Sequence, residues 1–188
     1  LAPVEGSEFL KFAEVHSLDP VDGSRIKSQY EKELVAGTVG HGALGIWGCG
    51  QLLAASSFGT VPLPRPGSVS LRIDVVVTVA HLRGRGLARS AVNAMVQHKL
   101  SEHGSNLEHM SVIAVHPVIR AIVESLGFTD AAMGTSAPVL HLKLDQVGRQ
   151  RLQEATERQL TRGLADLRTE CARCLLRRRG PWCKARAA

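Results

Sequence analysis

Residues 69–88 read Val69-Ser70-Leu71-Arg72-Ile73-Asp74-Val75-Val76-Val77-Thr78-Val79-Ala80-His81-Leu82-Arg83-Gly84-Arg85-Gly86-Leu87-Ala88. Val69, Leu71, Ile73, Val75, Val77 and Val79 alternate with Ser70, Arg72, Asp74, Val76 and Thr78. A period of two gives one apolar and one mostly polar face, so the stretch predicts a strand. Beyond the loop, Leu87, Ala88, Ala91, Val92, Met95, Val96 and Leu100 form a helical stripe, with Gly104 as its stop. Glycines between a strand and a helix let the backbone turn tightly and approach a ligand. The first amides of a helix point outward and favour an anion. Arg83, Arg85 and Arg89 add formal charge. Strand, loop and helix together read as a pyrophosphate cradle, the alternative being a plain tight turn. A Walker A loop would need Lys-Ser/Thr where Leu87-Ala88 stand. A dinucleotide fingerprint would need a small residue at Arg89, and RGG-type RNA binding would need a repeat.

On either side the chain alternates elements. Phe9, Leu10, Phe12 and Ala13 after Ser7 predict a helix, and Ile26, Tyr30 and Leu34 a second one ending at Gly37. Residues 44–47 and 51–58 around Gly48-Cys49-Gly50 predict a hairpin, and Pro62, Pro64, Pro66 and Gly67 a loop. Residues 111–115 predict a buried strand. Pro117 opens a helix with Ile119, Ile122, Val123 and Leu126 on its stripe and Gly127 at its end. Residues 128–133 and 139–144 predict closing strands. No strand is expected before residue 40.

The segment Arg83-x-x-Gly86-x-Ala88 resembles motif A of the GNAT superfamily, the acetyl-CoA-dependent N-acetyltransferases. The resemblance spans roughly residues 40–145: a hairpin, the motif after the fourth strand, a fifth strand, a helix ending in Gly127-Phe128, and two closing strands. It implies an α/β (α+β) fold with a mixed, mostly antiparallel sheet. That sheet would be splayed between its fourth and fifth strands and flanked by helices, with acyl-CoA in the split. It also implies that the loop from Leu82 through Arg83, Gly84, Arg85, Gly86 and Leu87 to Ala88 binds the pyrophosphate, with Arg89 adding charge. Main-chain groups of Val76, Val77 and Thr78 would pair with the pantetheine arm, and a strand amide there would polarise the thioester. The expected activity is acetyl transfer from acetyl-CoA, as co-substrate, to a primary amine by direct attack in a ternary complex. The acceptor is a small-molecule amine or a protein or peptide amine. A catalytically inactive fold that binds acyl-CoA or a partner protein is the alternative.

Two family positions differ. The common Asn eleven residues before the Gly of Gly-Phe is His116 here, and the common Tyr four residues before it is Val123. The chain has one tyrosine, Tyr30. A thiol of pKa about 8.5 leaves tolerably without a positioned acid, whereas an amine near about 10.4 must lose a proton to attack. The candidate bases are Asp74, on the face of Arg72 and Thr78 if no bulge intervenes, and His116, at a helix N-cap. Pairing with Arg72 and helix capping are their structural alternatives. The other seven histidines read as solvated surface residues.

Composition sets the frame. The 188 residues are 44% hydrophobic and 21% charged, which fits one folded domain and excludes a disordered or collagen-like chain. No run of eighteen uncharged apolar residues and no secretory signal is visible, so a cytoplasmic protein off the membrane is expected. The net charge of +6 is unevenly placed. Residues 1–147 hold 12 Lys and Arg against 13 Asp and Glu, and residues 148–188 hold 11 against 4. The basicity belongs to a tail, and nucleic acid is disfavoured as a partner of the body. The chain divides into a domain over 1–145 and a basic helical extension over 146–188. In the extension Leu160, Leu164, Leu167, Cys171 and Cys174 form a short seam suited to packing on the domain or to a homodimer. Cys171, Cys174 and Cys183 fall one ligand short of a structural zinc site, so no metal is expected.

Overall fold

Seven strands form one sheet in the order β1-β2-β3-β4-β5-β7-β6. They are β1 Ala2–Val4, β2 His41–Gly48, β3 Gln51–Pro62, β4 Val69–Thr78, β5 Leu107–Ile113, β6 Thr129–Asp130 and β7 Val139–Lys143. The helices are α1 Gly6–His16, α2 Leu87–His103 and α3 Pro117–Glu124, followed by α4 over residues 146–158. The computed structural model describes residues 1–17, 40–48, 50–113, 116–130 and 139–158. The helix expected around Tyr30, all four cysteines, Gly134 and the seam from Leu160 to Cys174 lie outside them.

Every neighbouring pair is antiparallel except β4 with β5. A parallel pair needs a crossover, and α2 supplies it. Its Val92, Met95 and Val96 are fully buried against Leu71 and Ile73 of β4 and Met110 and Val112 of β5. A second cluster joins Phe9, Leu10 and Ala13 of α1 to Val77, Ala55 and Leu52. The two clusters fill the two faces of β4.

Three expectations change. A first strand does exist: Ala2–Val4 pairs with Ala43 to Gly45, too short to show a period. The β2–β3 hairpin is longer on both arms than residues 44–47 and 51–58 suggested. Most consequential, the stripe from Val69 to Val79 does not stay on one face. Phe58 pairs with Ile73 and Ser57 with Val75, leaving Asp74 as an extra residue in β4. This β-bulge inverts the alternation. Leu71 and Ile73 face α2, and beyond the bulge Val76 joins that cluster while Val75 and Val77 join α1's. Thr78 therefore does not share a face with Arg72, since the bulge the expectation excluded is present.

Candidate functional site

β4 and β5 part company halfway along. Their pairing runs from Val69 with Leu107 to Ile73 with Val112 and stops, although β4 continues to Thr78 against β3. Beyond Ile73, among the described residues, no strand pairs with the β5 side of β4, so its backbone groups edge a V-shaped split. The split opens into a cleft of about 600 Å³. The walls are Val76, Val77 and Thr78 of β4, the loop into α2, the end of α1, and Val118, Ile119, Ala121 and Ile122 of α3.

The loop has the geometry its glycines require. Gly84 and Gly86 both have φ 78°, in the left-handed region, and Gly86 is the N-cap of α2. A Cβ on either would meet nothing within 4 Å, so these are glycines for their backbone angle, and the space before them is open. The first intrahelical bond runs from the Ser90 amide to the Gly86 carbonyl at 2.9 Å. The amides of Leu87, Ala88 and Arg89 precede it and face the positive end of the helix dipole. Among the expected loop residues, Leu82, Arg83, Gly84, Gly86, Leu87, Ala88 and Arg89 line the cleft and Arg85 does not. No carboxylate lines it among the described residues. The Thr78 hydroxyl is buried and has no hydrogen-bond partner among them.

Arg83 does something the motif does not indicate. Its guanidinium donates to the main-chain carbonyls of His16 and, at 3.3 Å, Ser17. It neutralises the carbonyl end of α1 and holds that end at the cleft. His16 and Ser17 thereby become lining residues. Burial, with Arg83 and His81 nearby, holds the His16 imidazole below its ordinary pKa. Sequence reasoning missed both, because the bond links residues 67 positions apart. The α3 wall was nearer to hand, since Val118, Ile119, Ala121 and Ile122 leave Pro117's helix apolar around most of its first turns.

The two catalytic candidates occupy different settings. His116 lies in the cleft wall as the N-cap of α3, its Nδ1 accepting from the Val118 amide at 3.2 Å. A neutral imidazole that accepts at Nδ1 carries its proton at Nε2. Asp74 lies outside the cleft. Its carboxylate, only 3% exposed, accepts from Arg72 Nε. Val123, where the family's tyrosine commonly stands, is fully buried in the core.

No family model matches the sequence, and no curated protein does. Solved structures do match. Tetrahymena GCN5 aligns with a TM-score of 0.55 at 13% identity, over 75% of this chain and 89% of its own. AtaTR bound with acetyl-CoA gives 0.56 at 13%, over 75% and 90%. A Desulfovibrio desulfuricans structure assigned to the GNAT family gives 0.51 at 14%, over 72% and 90%. The splayed sheet, the glycine loop at its throat and these likenesses agree: the chain has the fold of the GNAT acetyltransferases.

Proposed function

We propose that the chain is an acetyltransferase that moves the acetyl group of acetyl-CoA to a primary amine by direct attack in a ternary complex. The observation that carries this reading is the split between β4 and β5 beyond Ile73, which opens onto the Gly84–Gly86 loop and the first amides of α2. The residues present fit such a ligand. On the side of Val76 to Thr78 away from β3, an extended pantetheine arm finds backbone with no strand partner among the described residues, and beside it the buried Thr78 hydroxyl, equally without one among them. A pyrophosphate finds a helix N-terminus, open space before two glycines, and a wall without carboxylates among the described residues. Arg89 lines the same cleft; Arg85, one residue before Gly86, would act on the adenosine phosphates from outside it.

The transferase unit is read as residues 1–145, with 146–188 as an extension. Leu152 of α4 is fully buried in the main core, and Arg149 donates to the Gly104 carbonyl at 2.7 Å, so the extension begins docked on the domain. Among the described residues no helix is long and apolar enough to cross a membrane. The acceptor amine is a small molecule or a protein or peptide side chain, and a homodimer through the later extension is proposed on the sequence seam alone.

Val123 in the core, where a proton donor to the thiolate would stand, favours a second reading: a fold that binds acyl-CoA without turning it over. One experiment separates the two. The full chain is mixed with acetyl-CoA and, in turn, spermidine, a lysine-bearing peptide and an amino-acid amide, and free thiol is followed. Thiol release that depends on the amine supports transfer. Tight acetyl-CoA binding with no release from any amine supports the binder.

A further inference from the structure

If the cleft transfers acetyl groups as proposed, the attacking amine must lose a proton inside it. Among the described lining residues the side chains that ionise are Arg83, Arg89, His16 and His116. The arginines stay protonated and cannot accept. His116 has its Nδ1 lone pair committed to the Val118 amide and offers an N–H instead. Asp74 is buried in its pair with Arg72, outside the cleft.

His16 differs from all of these. It is the last residue of α1, partly buried, and held by two contacts. Its ring meets Phe12 edge-on with centroids 4.9 Å apart, and its main-chain carbonyl is gripped by Arg83. Neither contact uses a ring nitrogen, and no described residue hydrogen-bonds to one.

We propose that His16 is the proton acceptor for the attacking amine. The amine nitrogen forms a bond to the acetyl carbonyl carbon of acetyl-CoA. The carbon–sulfur bond breaks, its electron pair leaving with the CoA thiolate. The proton shed by nitrogen passes to the unprotonated nitrogen of His16 and from there to solvent. The electrostatic setting keeps that nitrogen open. Burial comes first, and the positive fields of Arg83 and His81, from the turn and loop after β4, add to it. Phe12 packs from α1, while His116 and Arg89 also line the cleft. None of these is an anion, and the cationic ones disfavour a second proton on the ring. The same Arg83 that steadies the residue therefore adds to burial in holding its pKa down.

The first test needs no turnover. Imidazole proton resonances of the full chain are titrated, His16 being assigned through its backbone connectivities. A midpoint for His16 below the ordinary 6.5, and a resonance that shifts when acetyl-CoA is added, are expected. A His16 resonance that acetyl-CoA does not move overturns the proposal even if a variant fails to fold. The second test uses thiol release with the amines named above. His16→Gln should lower kcat by about a hundredfold or more while leaving the acetyl-CoA Kd within about threefold. The acidic limb of the wild-type kcat/KM profile should vanish, and imidazole added to His16→Ala should restore part of the rate. An active wild type with an unchanged His16→Gln rate and profile overturns the role of His16 and leaves acetyl transfer standing. No release by the wild type from any amine overturns both.

Discussion

The loop residues were legible because everything that gives them meaning lies within a few positions. Arg83, Gly86 and Ala88 sit at the junction of a strand and a helix that each announce themselves by periodicity, and the structure puts all three on the cleft. His16 was illegible for the opposite reason: what makes it part of the site is a bond from a residue 67 positions away. Gly86 offers a direct check on the loop. Its φ of 78° would cost an alanine roughly 1–2 kcal/mol. The new Cβ would also stand in the open space before the α2 amides. Gly86→Ala should therefore lose about that much stability in urea and, in addition, at least tenfold in acetyl-CoA affinity by calorimetry. Gly67→Ala, with φ 80° in a distant loop and equally open space, should lose comparable stability and keep its affinity. Equal affinity losses at both glycines would mean strain alone and would remove the loop from the site.

Apart from the unexpected first strand, the described elements match the expected types, and the register of β4 does not. Gly104 ends α2 and Pro117 opens α3 where the sequence places them, because stops and caps are local chemistry. The face of β4 was misread beyond Ile73, because a bulge depends on what β3 does opposite, and no residue of β4 signals it. That slip is what sends Val76 to the α2 side and leaves Asp74 to pair with Arg72. At α3 the side-chain cap can be tested apart from any chemistry. His116→Ala removes the acceptor for the Val118 amide and should cost about 1 kcal/mol, whereas His116→Asn should recover most of it. Denaturation midpoints that fall equally for both variants would show that the Nδ1 bond does not hold the helix. α4 makes a larger contribution. Leu152 is fully buried in the cluster that holds Val96 and Leu107, so Leu152→Ala should cost about 2–5 kcal/mol. A chain ended at residue 145 loses that side chain and the Arg149 bonds together, and should melt lower than Leu152→Ala by differential scanning calorimetry. A melting point unchanged on truncation would make the whole extension an accessory.

The perturbed groups that titrate in acid, Glu102, Glu108 and His16, pull in one direction. Hydrogen bonding to Lys99 lowers the Glu102 carboxyl below its usual range, and hydrogen bonding to Ser68, with Arg65 nearby, lowers Glu108. Burial, then Arg83 and His81, lowers the His16 imidazole. A group whose pKa is lower folded than unfolded leaves the unfolded chain holding more protons as pH falls. Stability from the two carboxylates is thus complete above their ordinary 4.5 and is lost as pH drops through their folded values. The His16 contribution has the same sign but an earlier onset, beginning as pH falls below 6.5. The expected urea midpoint is therefore flat above neutrality, declines gently below it, and falls more steeply below about pH 4.5, with no window in which acid stabilises the fold. Glu108, half-buried, is held first by the Ser68 hydroxyl, whereas the more exposed Glu102 bonds at 2.6 Å to a Lys99 that is itself buried against the Phe58 ring, 4.0 Å from its centroid. Lys99→Met keeps the packing on Phe58 and removes the charge, so it should shrink the steep limb by the share that Glu102 carries. A midpoint that rises toward acid, or a steep limb indifferent to Lys99→Met, would place the acid sensitivity in groups other than these three.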